Sequence, residues 1–114
     1  MRPIRHRTLA DVGRILPPHQ LFELYEGINM FYVYLLRSKK DDDCYIGFTN
    51  SLERRIQEHN NGLVASTSLR KPFELIYSEW YKSEKDARHR ETNLKLRSRA
   101  FAQLKKRIYN SLLQ

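Results

Sequence analysis

The sequence predicts a small mixed α/β domain of the α+β kind, in which a three-stranded antiparallel sheet is flanked by helices. Three observations predict it. Runs rich in aromatic and β-branched residues stand at 31–37, 44–48 and 73–81 and have strand character. Capping and stop residues bound amphipathic segments between and after these runs. At 114 residues the chain has room for one compact domain with one modest core.

Residues 1–29 differ from the rest. Their short apolar clusters (Leu9, Val12, Ile15, Leu16, then Leu21, Phe22, Leu24, Tyr25) are split by Pro17 and Pro18, where a helix must stop. They predict two short helices or a partly ordered arm. Met30 opens a clean strand; one reading makes it the natural start, with residues 1–29 an over-extension or appendage, and the mass of the native N-terminus tests this.

FYVYLLR (31–37) is the first strand, SKKDDD (38–43) a polar turn and CYIGF (44–48) the second strand, so the two form a hairpin. Asn50 is the expected cap of the first helix, with Glu53 as its capping-box partner. That helix runs to about Asn60 and ends at Gly62. A loop rich in Ser, Thr and basic residues leads to the third strand, FELIYSEWY (73–81). Ser83 and Asp86 signal a second helix to about Leu96, and Ser98 a last one to about Leu112. The order is β-β-α-β-α-α, without internal repeats. As domains, residues 1–29 form an extension, 30–97 the folded unit, and 98–114 a basic helix packed on it.

Composition narrows the function classes. No apolar run approaches the roughly 20 residues of a membrane helix. The basic N-terminus lacks the apolar core and cleavage site of a secretory signal. One cysteine, Cys44, excludes an internal disulfide framework and a cysteine-rich zinc site, and fits a reducing, cytoplasmic setting. The net charge of +8 points to polyanionic partners: DNA, RNA or an acidic membrane surface. The excess is concentrated, since Lys82 to Arg107 holds ten Lys and Arg against three acids. Nucleic-acid contact is the favoured reading, and a solvated basic helix face the alternative.

Helical geometry exposes two anomalies. Leu52, Arg55, Ile56 and His59 share the face of the first helix that should be buried, so an arginine and a histidine stand one turn apart on an apolar stripe. Either they have partners there, or they lie at its edge and reach water along their stems. On the second helix Ala87, Glu91 and Leu94 share a face, with Arg90 at its margin. The plain alternative for Glu91 is an ion pair with Arg88 or Lys95. In the hairpin, Tyr34 and Tyr45 point the same way, and Gly47 leaves an open spot beside them for a backbone or ligand. Each tyrosine alone could be ordinary core packing.

Taken together, Tyr32-Val33-Tyr34, Tyr45-Ile46-Gly47, Arg55, Glu58-His59-Asn60, Arg90-Glu91 and Lys95 resemble the GIY-YIG nuclease family, over about residues 30–97. The likeness is to its small stand-alone members, akin to excision-repair nuclease domains. It implies a three-stranded antiparallel sheet with helices, and a metal-dependent endonuclease that hydrolyses phosphodiesters in DNA, directed by structure more than by sequence. The alternative is a binding module that keeps the fold without cleavage, and a third reading is a basic interaction domain with residues 1–29 as docking arm. The resemblance further implies that Glu91 is the protein ligand of one Mg²⁺ or Mn²⁺, that Tyr34 activates or positions the attacking water, and that Tyr45 orients water or phosphate. Arg55 would stabilise charge on the phosphate, and His59 would hold a tyrosine or assist proton transfer. Phe48 departs from the family, where some members place a lysine or other polar residue; so does Tyr32, where the family name has glycine. The family's late asparagine has no clear match. Thr67, Arg70 and Lys71 before strand three, and Lys95, Arg97 and Arg99 after Glu91, are the expected nucleic-acid contacts; Trp80 and Tyr81 could stack on bases, though strand three should bury at least one of them.

Overall fold

The computed structural model describes residues 30–96 and 99–114. The expected arm of residues 1–29, and Arg97 and Ser98, lie outside the described residues. The elements are β1 (Phe31–Ser38), β2 (Cys44–Thr49), α1 (Leu52–Asn60), a 3-10 turn (Ser68–Arg70), β3 (Phe73–Tyr81), α2 (Glu84–Lys95), α3 (Arg99–Arg107) and α4 (Tyr109–Leu113). The sheet has three strands in the order β2-β1-β3, and both pairings are antiparallel.

β1 is the central strand, and helices cover both faces of the sheet. Its residues Val33, Tyr34, Leu35 and Leu36 are therefore all buried, and it reads as a near-continuous apolar run. Alternation sorts them. Val33, Leu35 and Ile46 join Ala87 and Leu94 of α2, Phe101 and Leu104 of α3, and Ile108 in the larger core. Tyr34, Leu36 and Phe73 face the other way, with Tyr45 and with Leu52 and Ile56 of α1. A bulge supports this division. β1 pairs Leu35 with Tyr77 but Leu36 with Leu75, which leaves Ile76 as the extra residue. Without it, Phe73 would fall on the α2 side and leave α1 without its floor.

The local signals hold with two corrections. Asn50 is not the cap of α1: its side-chain oxygen accepts from Arg54 at 3.1 Å, and Ser51 stands at the N-cap. The Ser51 N–H is taken by the Thr49 hydroxyl at 3.0 Å, a local turn that delays the helix. The C-terminus follows expectation. Gly62 adopts φ 75°, Leu63 N–H donates to Glu58 at 2.9 Å and Gly62 N–H to His59 at 3.2 Å. Ser83 caps α2, accepting the Asp86 N–H at 3.4 Å.

The second correction is that the expected last helix is two, broken at Ile108 (φ −107°, ψ 27°). The break lets both buried Ile108 and half-buried Leu112 reach the larger core. It also brings the carbonyls of Leu112 and Gln114 to Arg37 of β1, which donates to both. Among the described residues no helix is long and apolar enough to cross a membrane.

Candidate active site

The site begins at a glycine. Tyr34 faces Gly47 directly across the β1–β2 ladder. A Cβ on Gly47 would lie 2.2 Å from the Tyr34 hydroxyl, so only glycine lets the phenol pass over the outer strand. The open spot expected beside the tyrosines is thus filled by Tyr34 itself, not left for a ligand. Tyr45 shares the face, its ring centroid 6.4 Å from that of Tyr34.

α1 brings His59 to the phenol. His59 is 0% exposed, so it does not reach for water; its polar atoms are satisfied inside. Nε2 lies 2.8 Å from the Tyr34 hydroxyl and Nδ1 2.7 Å from the Thr67 hydroxyl. Thr67 in turn donates to the Val64 carbonyl at 3.4 Å. With its proton spent there, Thr67 Oγ1 accepts from Nδ1–H, and Nε2 is left to accept from Tyr34. The imidazole is enclosed by Tyr45, Tyr34 and Phe73, with ring centroids at 5.0, 5.8 and 5.7 Å. Burial, then the Arg55 charge, pulls its pKa down to about 4, which leaves the ring neutral at pH 7.

Arg55 and Glu91 complete the group. Arg55, half-buried one turn before His59, has its guanidinium within hydrogen-bonding reach of Tyr34 and pairs with Glu58 at 3.6 Å. Burial pushes the Tyr34 phenol up to about 12; Arg55 opposes this, while Tyr45 and the Glu91 carboxylate add to it. The Glu91 side chain, 16% exposed, pairs with Lys95 at 3.1 Å. The other partner considered, Arg88, turns instead to Glu84 at 3.2 Å.

α2 is held in place by Glu79, which has no part in the sequence-based expectations. Glu79 of β3 accepts from Tyr77 at 2.5 Å, from Tyr81 at 2.6 Å and from Arg90 at 2.6 Å. This clamp sits one residue before Glu91. Its signal in the sequence is a glutamate between tyrosines at i±2, which alternation places on one strand face. Asn60 is a second fastener: Phe73 N–H donates to its side-chain oxygen at 2.6 Å, and its amide donates to the Phe73 carbonyl at 3.3 Å, tying the end of α1 to β3.

The expected nucleic-acid contacts fare differently. Thr67 is 1% exposed and occupied by His59, so it lies beneath the surface instead of on it. Arg70 grips Asp41 with two bonds, at 2.6 and 3.2 Å, and lies over Phe73, fastening the loop to the β1–β2 turn. Lys95 is engaged with Glu91. Lys71 and Arg99 are exposed, and Arg97 lies outside the described residues. Trp80 is exposed and Tyr81 half-buried.

The donor set limits which metal would suit. Among the described residues no three His, Cys, Asp or Glu are grouped to hold an ion. Glu91 offers one carboxylate, already facing a cation in Lys95. That suits an ion such as magnesium, which takes one or two carboxylates and fills its shell with water and phosphate oxygens. It does not suit a fully caged zinc.

The family model described as the GIY-YIG catalytic domain matches residues 30–108. A UPF0213 protein of Clostridium perfringens is 45% identical over 67 residues, 58% of this chain and 71% of its own. UPF0213 protein YazA of Bacillus subtilis is 34% identical over 82 residues, 71% of this chain and 78% of its own. One from Natronomonas pharaonis is 43% identical over 70 residues, 60% of this chain and 81% of its own. No solved structure matches the chain.

Proposed function

Because this chain belongs to the GIY-YIG family of nuclease catalytic domains, we propose that it is a divalent-metal-dependent endonuclease that hydrolyses phosphodiester bonds in DNA. One observation carries the reading: the buried Tyr34 phenol is approached at once by His59, Arg55, Tyr45 and the charge of Glu91. A plain core would put apolar groups at these positions. A pure binding surface has no use for a carboxylate beside phosphate.

Glu91 would hold the ion, Mg²⁺ or Mn²⁺, once Lys95 releases it. A bound divalent ion supplies Lewis-acid stabilisation of the phosphate and lowers the pKa of water beside it. The remaining work falls to the chain. Tyr34 keeps its proton at neutral pH and donates it to His59; one oxygen lone pair accepts from Arg55, and the other is left to accept from an attacking water. Tyr34 can take the water's proton only as its own passes to Nε2, and His59, fixed by Thr67, has that nitrogen bare. Arg55 carries the positive charge that a developing phosphorane needs and offers a planar fork matched to its oxygens. Tyr45 borders the imidazole and orients water or phosphate. The proposed preference is for DNA structure over long sequence.

The test is incubation of the protein with branched, nicked, single-stranded and plain duplex DNA in Mg²⁺, Mn²⁺ or chelator, beside Glu91→Ala. Metal-dependent cuts that vanish in the variant are the expected result. Binding without cleavage on every substrate, unchanged in Glu91→Ala, would leave a non-catalytic nucleic-acid-binding module.

A further inference from the structure

Phe48, where some members of the family place a polar residue, stands at a pocket that the nuclease reading touches only through Arg55. Alternation puts it on the sheet face opposite Tyr34 and Tyr45. Its ring stacks against Phe31, with centroids 6.2 Å apart and planes 12° from parallel. Over its ring lies the Arg88 guanidinium, 4.1 Å from the centroid. Glu84 holds that guanidinium at 3.2 Å, while the Arg88 side chain stays 59% exposed. These groups and Arg55 line one pocket of about 350 Å³. That is near the low end of the ~300–1,000 Å³ typical of small-molecule sites, a size for one nucleotide and not for a helix.

We propose that this pocket receives an unpaired nucleobase next to the phosphate held by Arg55, so that the preferred substrate presents a splayed or single-stranded nucleotide at the cut. The proposal rests on the nuclease reading for its location and on three features for its occupant. A guanidinium held over an aromatic ring is a ready platform for base stacking. Arg55 lines the pocket and reaches Tyr34, so a phosphate at Arg55 places the adjoining base at the pocket mouth. Glu58 and Glu84 line it beside Arg54, Arg55 and Arg88, and their carboxylates offer acceptors to the amino and imino groups of a base. A base stacked and paired within a duplex cannot enter.

The experiment is fluorescence-anisotropy binding in chelator, so that nothing is cut. It compares a short thymidine oligonucleotide with a strand of equal length built of abasic sugars, for wild type, Phe48→Leu, Arg88→Gln and Glu91→Ala. Wild type is expected to prefer the base-bearing strand, and Phe48→Leu and Arg88→Gln to lose about tenfold of that preference, as the loss of one stacked base gives. Equal wild-type binding to both strands, no binding to either, or an unaltered preference in both variants overturns the proposal. So does an equal weakening on both strands, which marks lost charge or fold. Arg88 lies outside the core, so Arg88→Gln decides the matter if Phe48→Leu melts early. Glu91→Ala keeps the preference while abolishing cleavage, and failure of cleavage in wild type bears on the nuclease reading alone.

Discussion

His59 carries one ring proton at neutral pH, so whatever accepts it at Nδ1 decides what Nε2 can do. Thr67 is that acceptor. Thr67→Val keeps the shape and removes the oxygen, leaving a buried N–H without a partner. The expected cost is about 1–3 kcal/mol of stability, with the ring shifting toward the tautomer that no longer accepts from Tyr34. Nitrogen chemical shifts of His59 read the tautomer directly, and Thr67→Ser should restore both it and the cleavage rate. A pH effect follows from the same burial. The folded His59 pKa, about 4, lies below the ordinary 6.5. Between these values the unfolded chain binds a proton that the native chain refuses, so this contribution is fully present above pH 6.5 and is lost as pH falls toward 4. Melting temperature should drop across that window, and His59→Gln should flatten the drop; an unchanged slope would place the titrating group elsewhere. At this scale the sequence disclosed Arg55, His59 and Glu91 because each breaks an apolar stripe. It could not disclose that Thr67 is a buried partner, since a threonine in a polar loop carries no periodic mark.

The elements were legible wherever one local rule governs them. Strand alternation put Tyr34 and Tyr45 together, Ser83 capped α2, and Gly62 closed α1. The bulge at Ile76 and the break at Ile108 were not legible, because each answers to packing: Phe73 must reach α1, and the chain end must reach Arg37. The Glu79 clamp likewise joins side chains eleven positions apart, Glu79 and Arg90, from two elements. Its effect is to fix α2 against β3 where Glu91 projects. On that helix Glu91 and Lys95 stand one turn apart, so a metal ion held as proposed would compete with the ammonium. Lys95→Gln removes the competitor without touching Glu91. Manganese binding measured by calorimetry should tighten severalfold in this variant, and the metal concentration for half-maximal cleavage should fall with it. Weaker manganese binding would mean that Lys95 positions the carboxylate instead of blocking it.

At the scale of the whole molecule the +8 charge sets a long-range attraction for polyanions, but the folded chain has already paired part of its 21 Lys and Arg. Arg70 is held by Asp41, Arg88 by Glu84, Arg90 by Glu79 and Lys95 by Glu91, so a count of basic residues overstates the cations on offer. Lys71 and Arg99 are exposed, the first just before β3 and the second at the start of α3. If each neutralises a phosphate, removing it lowers the salt dependence of binding by about 0.7 in the logarithmic slope for a single strand. Lys71→Gln and Arg99→Gln should therefore each flatten the plot of log affinity against log salt by that amount, and the pair by about twice it. Arg70→Gln should leave the slope unchanged and loosen the β1–β2 turn, since its charge is spent on Asp41. Fluorescence anisotropy across a salt series measures all four proteins. A flattened slope for Arg70→Gln would mean that this arginine leaves Asp41 to meet the backbone, and unchanged slopes for Lys71→Gln and Arg99→Gln would remove both from the path of the strand.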